Sequence, residues 1–257
     1  MIVYKTQEEI ELIRQSAQIL GKAHAEVAKM IEPGVTTSAL DKRAEEFIRD
    51  HKGEPSFKGY NSFPASLCIS VNDAVVHGIP SQYELQEGDI ISIDCGVFLN
   101  GFHSDSAYTY PIGEVSPEVK KLLRVTKESL EIGIKHAISG SRVGDVSSSI
   151  QKHVEKNGFS VIRELVGHGV GRSLHESPEV PNYGKRGRGA KLKEGLVIAI
   201  EPMVNLGKRN VVQSKDGWTI KTSDHSPSAH YEHTVAIKNG EADVLTTFEY
   251  IEEVFKI

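Results

Sequence analysis

The sequence has very few cysteines, no long hydrophobic run and no excess of positive charge. Its two cysteines, Cys68 and Cys95, are too few to stabilise a chain of 257 residues by disulfides. No apolar run approaches the ~20 residues of a membrane-spanning helix, and the first residues, MIVYKTQEEIE, lack the apolar stretch of a signal peptide. The net charge of −5 gives no general attraction to DNA or anionic membranes. These absences predict a reduced, cytoplasmic and monomeric globular protein with no membrane or specific DNA as partner.

The order of predicted elements repeats once along the chain. Helices are predicted over about residues 7–31, 37–51, 117–138 and 143–157, and strands around 67–76 and 89–110. Segments 33–53 and 139–158 both contain a turn, Gly, Val, a small polar stretch, an amphipathic helix and a final Gly, in that order. We therefore predict one domain, residues 1–257, built as a duplicated helix–helix–sheet half, with ligands bound where the halves meet.

The segment IISIDCGVFLNGFHSDSAYT, residues 90–109, predicts a β-hairpin around Asn100-Gly101. With those two residues as the turn, Asp105 lies opposite Gly96, and Asp94 is its diagonal neighbour on the same face, with Cβ atoms at most ~7–8 Å apart. Two such carboxylates can converge on metal ions about 3.5–4 Å apart. The alternative is a pair of solvated aspartates. The apolar residues around Asp94 argue against it, because an unpaired carboxylate is costly to bury.

Three further residues of metal-ligand type follow in the second half of the chain. His168 lies in the glycine-rich segment GHGVGRSLHESPEV, Glu201 closes the apolar run LVIAIEP, and Glu232 lies in AHYEHTVAI on one face with His230 and Thr234. With the two aspartates, they can hold two divalent cations with the charges cancelling, and two cations that share a water generate a hydrolytic nucleophile at neutral pH. This ligand set suits Mn²⁺, Fe²⁺ or Co²⁺, with Zn²⁺ a further candidate. The chain lacks the HExxH motif of a zincin.

Five motifs resemble, in order and spacing, those of the type I methionine aminopeptidases of metallopeptidase family M24: VNDAVVHGIP, IDCGVFLNGFHSDSA, GHGVGRSLHE, AIEPMV and YEHT. The resemblance covers nearly the whole chain. It implies an α+β pita-bread fold, in which two pseudo-symmetric halves form a curved antiparallel sheet covered by helices. It also implies removal of the N-terminal methionine from nascent proteins and peptides with a small second residue, by a metal-bridging water or hydroxide that attacks the first peptide bond.

The resemblance assigns ligand roles residue by residue. Asp94 matches the bidentate ligand of one metal, and His168 and Glu201 match ligands of the other. Asp105 and Glu232 match the carboxylates that bridge both. The implied cofactor is a pair of divalent ions chosen from Co²⁺, Mn²⁺, Fe²⁺ and Zn²⁺.

Three residues match the family's catalytic positions. His77 is expected to orient the substrate and assist proton transfer, and His175 to donate a hydrogen bond to the scissile carbonyl. A donor in that place acts on the charge that develops in the transition state. Glu201, besides binding metal, is expected to carry a proton between the bridging water and the leaving amine.

The family's methionine pocket is apolar and aromatic, and a flexible thioether packs well on rings and a thiol. The corresponding positions here, with His77 and His175, are the substrate-binding candidates: Tyr60, Phe63, Cys68, Leu174 and Trp218. Leu174 stands where an aromatic residue is common in relatives, which we expect to reshape the pocket rim without abolishing methionine preference. Asn72 and Ser228 match positions of a monovalent cation site.

The implied partners are the N-termini of nascent polypeptides. The loop GKRGRGAKLK, residues 184–193, carries five basic residues and is a candidate for contact with ribosomal RNA, with a solvated surface loop as the favoured alternative. Two other functions stay open. X-Pro aminopeptidases and prolidases share the fold and the five ligands, but they usually carry an N-terminal domain for which this chain has no room. A metal-free relative that binds peptides or RNA would have lost ligands, and all five are present here.

Overall fold

The computed structural model describes residues 1–256, whose helices follow the predicted order. They are α1 Gln7–Ala28, α2 Thr37–Asp50, α3 Pro117–His136, α4 Val143–Lys156 and α5 Glu249–Phe255. The first three begin where the capping patterns predict and α4 begins at the predicted position, whereas α5 was not predicted. None of the helices within residues 1–256 is long and apolar enough to cross a membrane.

Local hydrogen bonds explain where these helices begin. Thr6 and Glu9 form a capping box, in which the Glu9 N–H donates to Thr6 Oγ1 at 3.2 Å and the Thr6 N–H donates to Glu9 Oε2 at 3.1 Å. The Ser116 hydroxyl caps α3 in front of Pro117. Helix α1 ends three residues before the predicted position, since the chain leaves the helix ahead of Pro33.

Most of the described strands are short, with β4 and β5 the exceptions at 10 residues each, and every pairing between them is antiparallel. They are β1 Glu54–Pro55, β2 Leu67–Val71, β3 Ala74–Val76, β4 Ile90–Leu99, β5 Phe102–Pro111, β6 Ser160–Val161, β7 Gly167–Gly169, β8 Glu176–Val180, β9 Val197–Ile200, β10 Met203–Asn205, β11 Val211–Gln213, β12 Ile220–Thr222, β13 Ser228–His230, β14 His233–Ala236 and β15 Asp243–Val244. Their sheets have the orders β1-β4-β2 with β5 beside β4, β13-β10-β6, β11-β12-β3, and β15-β14-β9-β7-β8. The strand predicted around 67–76 is therefore two strands, because Asn72 takes a left-handed conformation with φ of 52° between them.

The hairpin of β4 and β5 has the predicted register. Gly96 pairs with Asp105 and Asp94 pairs with Ala107, so both aspartates lie on one face as diagonal neighbours. The space that Gly96 leaves on this face is filled by Phe57, whose ring carbon would lie 2.8 Å from a Cβ at this position. Glycine at position 96 thus lets an aromatic ring pack directly beside the aspartates.

Each half of the chain covers its strands with a pair of helices. Helix α1 packs on α2 and on the β4–β5 hairpin, and α3 packs on α4 and on β9, β10 and β13. A continuous hydrophobic core joins the two halves, from Leu20 and Ile93 to Ile150 and Ile198. This arrangement agrees with the predicted α+β fold of two related halves.

Side-chain hydroxyl groups tie β5 to the second half at the level of the aspartates. The Thr234 hydroxyl donates to the Asp105 carbonyl at 2.7 Å and accepts from the Asp105 N–H at 3.0 Å. One residue along, the Ser106 hydroxyl donates to the Glu232 carbonyl at 2.8 Å. The backbones of Asp105 and Glu232 are therefore fixed relative to each other, although they are far apart in the sequence.

Candidate metal centre and substrate pocket

The five metal-ligand candidates line one pocket and come from five places in the chain. Asp94 lies on β4, Asp105 on β5 and His168 on β7, while Glu201 follows β9 and Glu232 precedes β14. Asp105, His168 and Glu232 each offer one ligand atom, and these three atoms lie within 4.8 Å of one another. The His168 Nε2 atom is 3.8 Å from Asp105 Oδ2 and 3.6 Å from Glu201 Oε1. The side chains that the sequence analysis selected are thus brought together.

An interruption of strand pairing places the two glutamates. The β9–β14 ladder ends at the pair Ile200 and His233, and the β10–β13 ladder resumes at the pair Met203 and His230. Glu201 and Glu232 lie in the gap between the ladders, outside any strand. The residue after Glu201 is a proline, which has no N–H to continue a ladder.

Close strand packing fixes the position of His168. A Cβ at Gly167 would lie 2.4 Å from the Ala199 carbonyl oxygen, and one at Gly169 would lie 2.6 Å from the Ser177 carbonyl oxygen. Only glycine at both positions lets β7 run between its neighbours. The His168 Nδ1–H donates to the Gly169 carbonyl at 2.9 Å, so Nε2 is left as a lone-pair donor that faces the carboxylates.

The polar atoms of the site fit divalent metal ions. Among residues 1–256, the buried oxygens Asp94 Oδ1, Asp105 Oδ1 and Glu232 Oε1 have no hydrogen-bond partner. Buried polar atoms nearly always have a hydrogen-bond partner, so these three oxygens need a partner that is not a protein hydrogen-bond donor. Carboxylate oxygens with one imidazole nitrogen are a common ligand set for divalent first-row metals.

Burial and mutual repulsion change the pKa values of all five candidates. Burial raises the pKa of Asp94 to about 7 and that of Glu201 to about 8. The pKa values of Asp105 and Glu232 lie well above their usual range, because burial is reinforced by the negative charge of the neighbouring carboxylates. Burial lowers the pKa of His168 to about 3, which keeps its imidazole neutral. Nearby cations would reverse the carboxylate shifts by favouring the charged form.

His77 and His175 line the same pocket as this cluster. His77 follows β3 with a positive φ of 57°, a conformation rare outside glycine and characteristic of functional sites. Its ring meets the Trp218 ring edge-on at 6.4 Å. His175 is exposed at the pocket mouth, where Nδ1 is 2.7 Å from the Tyr60 hydroxyl and the ring centroid is 4.2 Å from that of His168.

An apolar compartment adjoins the carboxylates. Phe63 packs edge-on against Trp218 at 5.1 Å, and the buried Cys68 and Leu174 complete the wall. Cys68 pairs with Asp94 across β2 and β4, which places its thiol on the metal-site face. The cavity measures about 240 Å³. All substrate-binding candidates of the sequence analysis line it.

The pocket also contains residues that the sequence analysis did not select: Phe57, Asn61, Val76, Leu165, Val166 and Met203. Three of these had a local signal, since Leu165-Val166 precedes the His168 segment and Met203 lies two residues after Glu201. Phe57 had none, because its place depends on Gly96 across the sheet.

Asn72 and Ser228 lie next to each other, as their predicted cation site requires. The Ser228 N–H donates to the Asn72 carbonyl at 3.0 Å. The side chains are engaged elsewhere: Asn72 Nδ2 donates to Asp89 at 2.8 Å, and the Ser228 hydroxyl lies within hydrogen-bond range of Val204 and Asn205. A monovalent ion here stays a prediction that relies on backbone carbonyl oxygens.

Comparison with known proteins agrees with this geometry. The model of metallopeptidase family M24 matches residues 11–239. A methionine aminopeptidase of Clostridium perfringens is 54% identical over 246 residues, which cover 96% of this chain and 99% of that protein. The crystal structure of methionine aminopeptidase from Thermotoga maritima superposes with a TM-score of 0.94 at 46% identity, covering 96% of this chain and all of that one.

A prolidase from Pyrococcus furiosus is a more distant neighbour. It superposes with a TM-score of 0.79 at 25% identity, and the match covers 95% of this chain but 65% of that one. The fold is therefore shared across both branches, whereas the higher identity lies with the aminopeptidases.

The chain belongs to metallopeptidase family M24, whose fold and buried Asp, His and Glu cluster indicate divalent metal binding. Within this family it belongs to the methionine aminopeptidases, which makes it a metallopeptidase that removes N-terminal methionine.

Proposed function

We propose that this enzyme releases methionine from peptides with a small second residue, using Asp94, Asp105, His168, Glu201 and Glu232 as ligands of two divalent cations. The observation that supports this most directly is the set of unpartnered buried carboxylate oxygens beside an apolar compartment. When bound, the cations would supply charge compensation and a water that ionises near neutral pH. This ligand set suits Mn²⁺, Fe²⁺ or Co²⁺, with Zn²⁺ a further candidate.

The protein's own groups account for substrate binding and proton transfer. The methionine side chain lies against Phe63, Trp218 and the Cys68 thiol, since sulfur packs favourably at the edges of aromatic rings. Leu174 replaces a ring with an aliphatic side chain in the same wall, and so changes the wall's shape while keeping it apolar.

Glu201 transfers a proton from the attacking water to the leaving amine. Its Oε1 atom lies 3.6 Å from His168 Nε2, so the carboxylate is beside the ligand cluster, where it can take the proton of the water and pass it on. His175 donates to the carbonyl oxygen of the scissile bond from the pocket mouth, oriented by the Tyr60 hydroxyl at 2.7 Å. His77, next to Trp218, orients the substrate and assists proton transfer.

Release of free methionine from Met-Ala-Ser by the purified protein tests this proposal. We expect turnover with Mn²⁺ or Co²⁺, none after chelation, and much slower release from a matched Met-Leu-Ser peptide because its second residue is bulky. An X-Pro peptide under the same conditions serves as the control for the prolidase branch. Cleavage of the X-Pro peptide alone, or turnover that survives chelation, would contradict the proposal.

The basic loop 184–193 provides a contact for the ribosome, whose nascent chains are the proposed substrates. The loop is fixed over the start of α4, where the Gly144 N–H donates to the Arg188 carbonyl at 2.9 Å and Gly187 donates to Asp145 at 2.9 Å. Lys185, Arg186 and Arg188 are exposed. A rigid, exposed cluster of this charge suits phosphate groups of RNA.

Changing Lys185, Arg186 and Arg188 together to glutamine is expected to weaken co-sedimentation with bacterial ribosomes and to make it less sensitive to salt, because fewer counterions are released on binding. A matched variant removes three exposed lysines elsewhere: Lys42, Lys120 and Lys152. Unchanged co-sedimentation of the loop variant, or equal weakening in the matched variant, would exclude this contact.

A further inference from the structure

His230 is a buried histidine to which the proposed function gives no role. It is 1% exposed, and neither ring nitrogen has a hydrogen-bond partner among residues 1–256. A buried imidazole with two unpartnered nitrogens is unfavourable, and in native structures such groups are usually explained by function or by an absent ion or water. His230 therefore needs an explanation that packing does not supply.

The backbone of His230 is held firmly. The Thr109 hydroxyl donates to the His230 carbonyl at 2.7 Å and accepts from its N–H at 2.9 Å. The Ser92 hydroxyl, 2.8 Å away, completes the network as a donor to Thr109. On the other side His230 pairs with Met203 in the β10–β13 ladder. The position of the ring is thus set by two neighbouring strands.

This placement brings the ring against Glu201. His230 Nε2 is 3.6 Å from Glu201 Oε2, and His168 Nε2 is 3.6 Å from Glu201 Oε1. One carboxylate is therefore flanked by two imidazoles, one at each oxygen. The two rings differ, because the Nδ1–H of His168 is already donated to Gly169 and its Nε2 can only accept. The His230 ring is free to carry its proton on Nε2 and to donate it.

We propose that His230 is a positioning residue for Glu201, an inference that rests on the proposed function. Its Nε2–H donates to Glu201 Oε2 and holds the carboxylate in the orientation in which Oε1 faces the ligand cluster. A small movement closes the 3.6 Å separation to the usual hydrogen-bond distance of ~3.0 Å. A carboxylate held at one oxygen loses less freedom when it transfers a proton, which favours turnover more than substrate binding.

Two substitutions separate this role from packing. His230→Leu keeps an apolar side chain in the site and removes the donor, and His230→Gln keeps an N–H donor near the position of Nε2. We expect His230→Leu to lower kcat for Met-Ala-Ser by about 10–100-fold with little change in KM, as for other groups that orient a metal ligand. We expect His230→Gln to recover most of the lost kcat.

Titration calorimetry with Mn²⁺ measures the number of bound ions and their affinity, and so gives a readout independent of turnover. If His230 positions Glu201 without binding metal itself, both variants keep the wild-type number of bound ions. His136→Leu, at an exposed histidine at the end of α3, is the matched control and should leave kcat unchanged.

Wild-type kcat in His230→Leu, failure of His230→Gln to restore it, or loss of a bound ion in His230→Leu would each overturn the positioning role. The last result would make His230 a metal ligand. These outcomes differ from failure of the proposed function, in which the wild-type enzyme itself would release no methionine.

Discussion

Replacing Asp105 with asparagine is expected to abolish methionine release, with kcat/KM falling at least ~10³-fold, beyond the 10–100-fold typical of residues that act through a ligand. The substitution keeps the shape of the side chain and removes one negative charge from the centre of the cluster. Asp105 is the member that faces both His168, at 3.8 Å, and the diagonal Asp94. Its backbone is fixed through the Thr234 hydroxyl, so the variant should keep the fold.

In the metal-free protein, the same variant should not lower the thermal stability. Asp105 is buried among carboxylates that raise its pKa, so at neutral pH it must take up a proton when the chain folds; asparagine needs none and should leave the melting temperature equal or higher in EDTA. Mn²⁺ should then raise the melting temperature less than it does in the wild type, because ion binding stabilises only the folded state.

Thermal melts with EDTA and with Mn²⁺, together with calorimetric titration of Mn²⁺, measure both effects. Glu46→Gln, at an exposed position on α2, is the matched control for loss of one negative charge. Full activity in Asp105→Asn, or a wild-type response to Mn²⁺, would show that Asp105 is not a ligand.

Stability of the metal-free enzyme is expected to fall as the pH rises from about 7 to about 8. In the folded state Asp94 and Glu201 lose their protons only near their pKa values of about 7 and about 8. The pKa values of Asp105 and Glu232 are also raised well above their usual range, so these two carboxyl groups keep their protons as well. In the unfolded chain these groups ionise near pH 4. The folded state therefore binds more protons than the unfolded chain. The free energy of unfolding decreases with rising pH by about 1.4 kcal/mol per pH unit for each carboxyl group that is still protonated in the folded state and ionised in the unfolded chain.

The lower limit of this window is set by the histidines. Burial lowers the pKa of several of them, among them His24 to about 4 and His168 to about 3, so below about pH 6.5 the unfolded chain takes up protons that the folded state does not. That contribution makes stability rise with pH and opposes the carboxylates. An unfolded histidine is still about half protonated at pH 6.5, so this opposing contribution becomes small only as the pH rises above about 7, where the carboxylates dominate.

Urea unfolding in EDTA at steps from about pH 7 to about pH 8 measures this decline, and saturating Mn²⁺ should remove it because bound ions displace the protons. The double variant Asp105→Asn with Glu232→Gln should show a shallower slope in EDTA. A flat or rising stability of the metal-free wild type across this range would mean that the carboxylates are not protonated in the fold.

Local patterns predicted much of the architecture. The capping box of Thr6 and Glu9 and the Ser116-Pro117 start are satisfied within a few residues, so they identify helix starts without tertiary information. The Asn100-Gly101 turn likewise predicted the register that places the two aspartates on one face, because side chains alternate strictly along paired strands. Positions that depend on partners far along the chain were missed, as with the break at Asn72 and the helix α5.

The sequence alone determined which residues have metal-ligand chemistry, and the order of its motifs indicated the family. Tertiary structure decided how those residues meet. The gap between two strand ladders leaves Glu201 and Glu232 outside the strands, the hydroxyl of Thr234 fixes the backbone of Asp105, and the hydroxyl of Thr109 fixes the backbone of His230. The physical reason is range. Capping and turn geometry act over a few residues, whereas the burial that changes the carboxylate pKa values and leaves their oxygens unpartnered exists only once both halves of the chain have packed together.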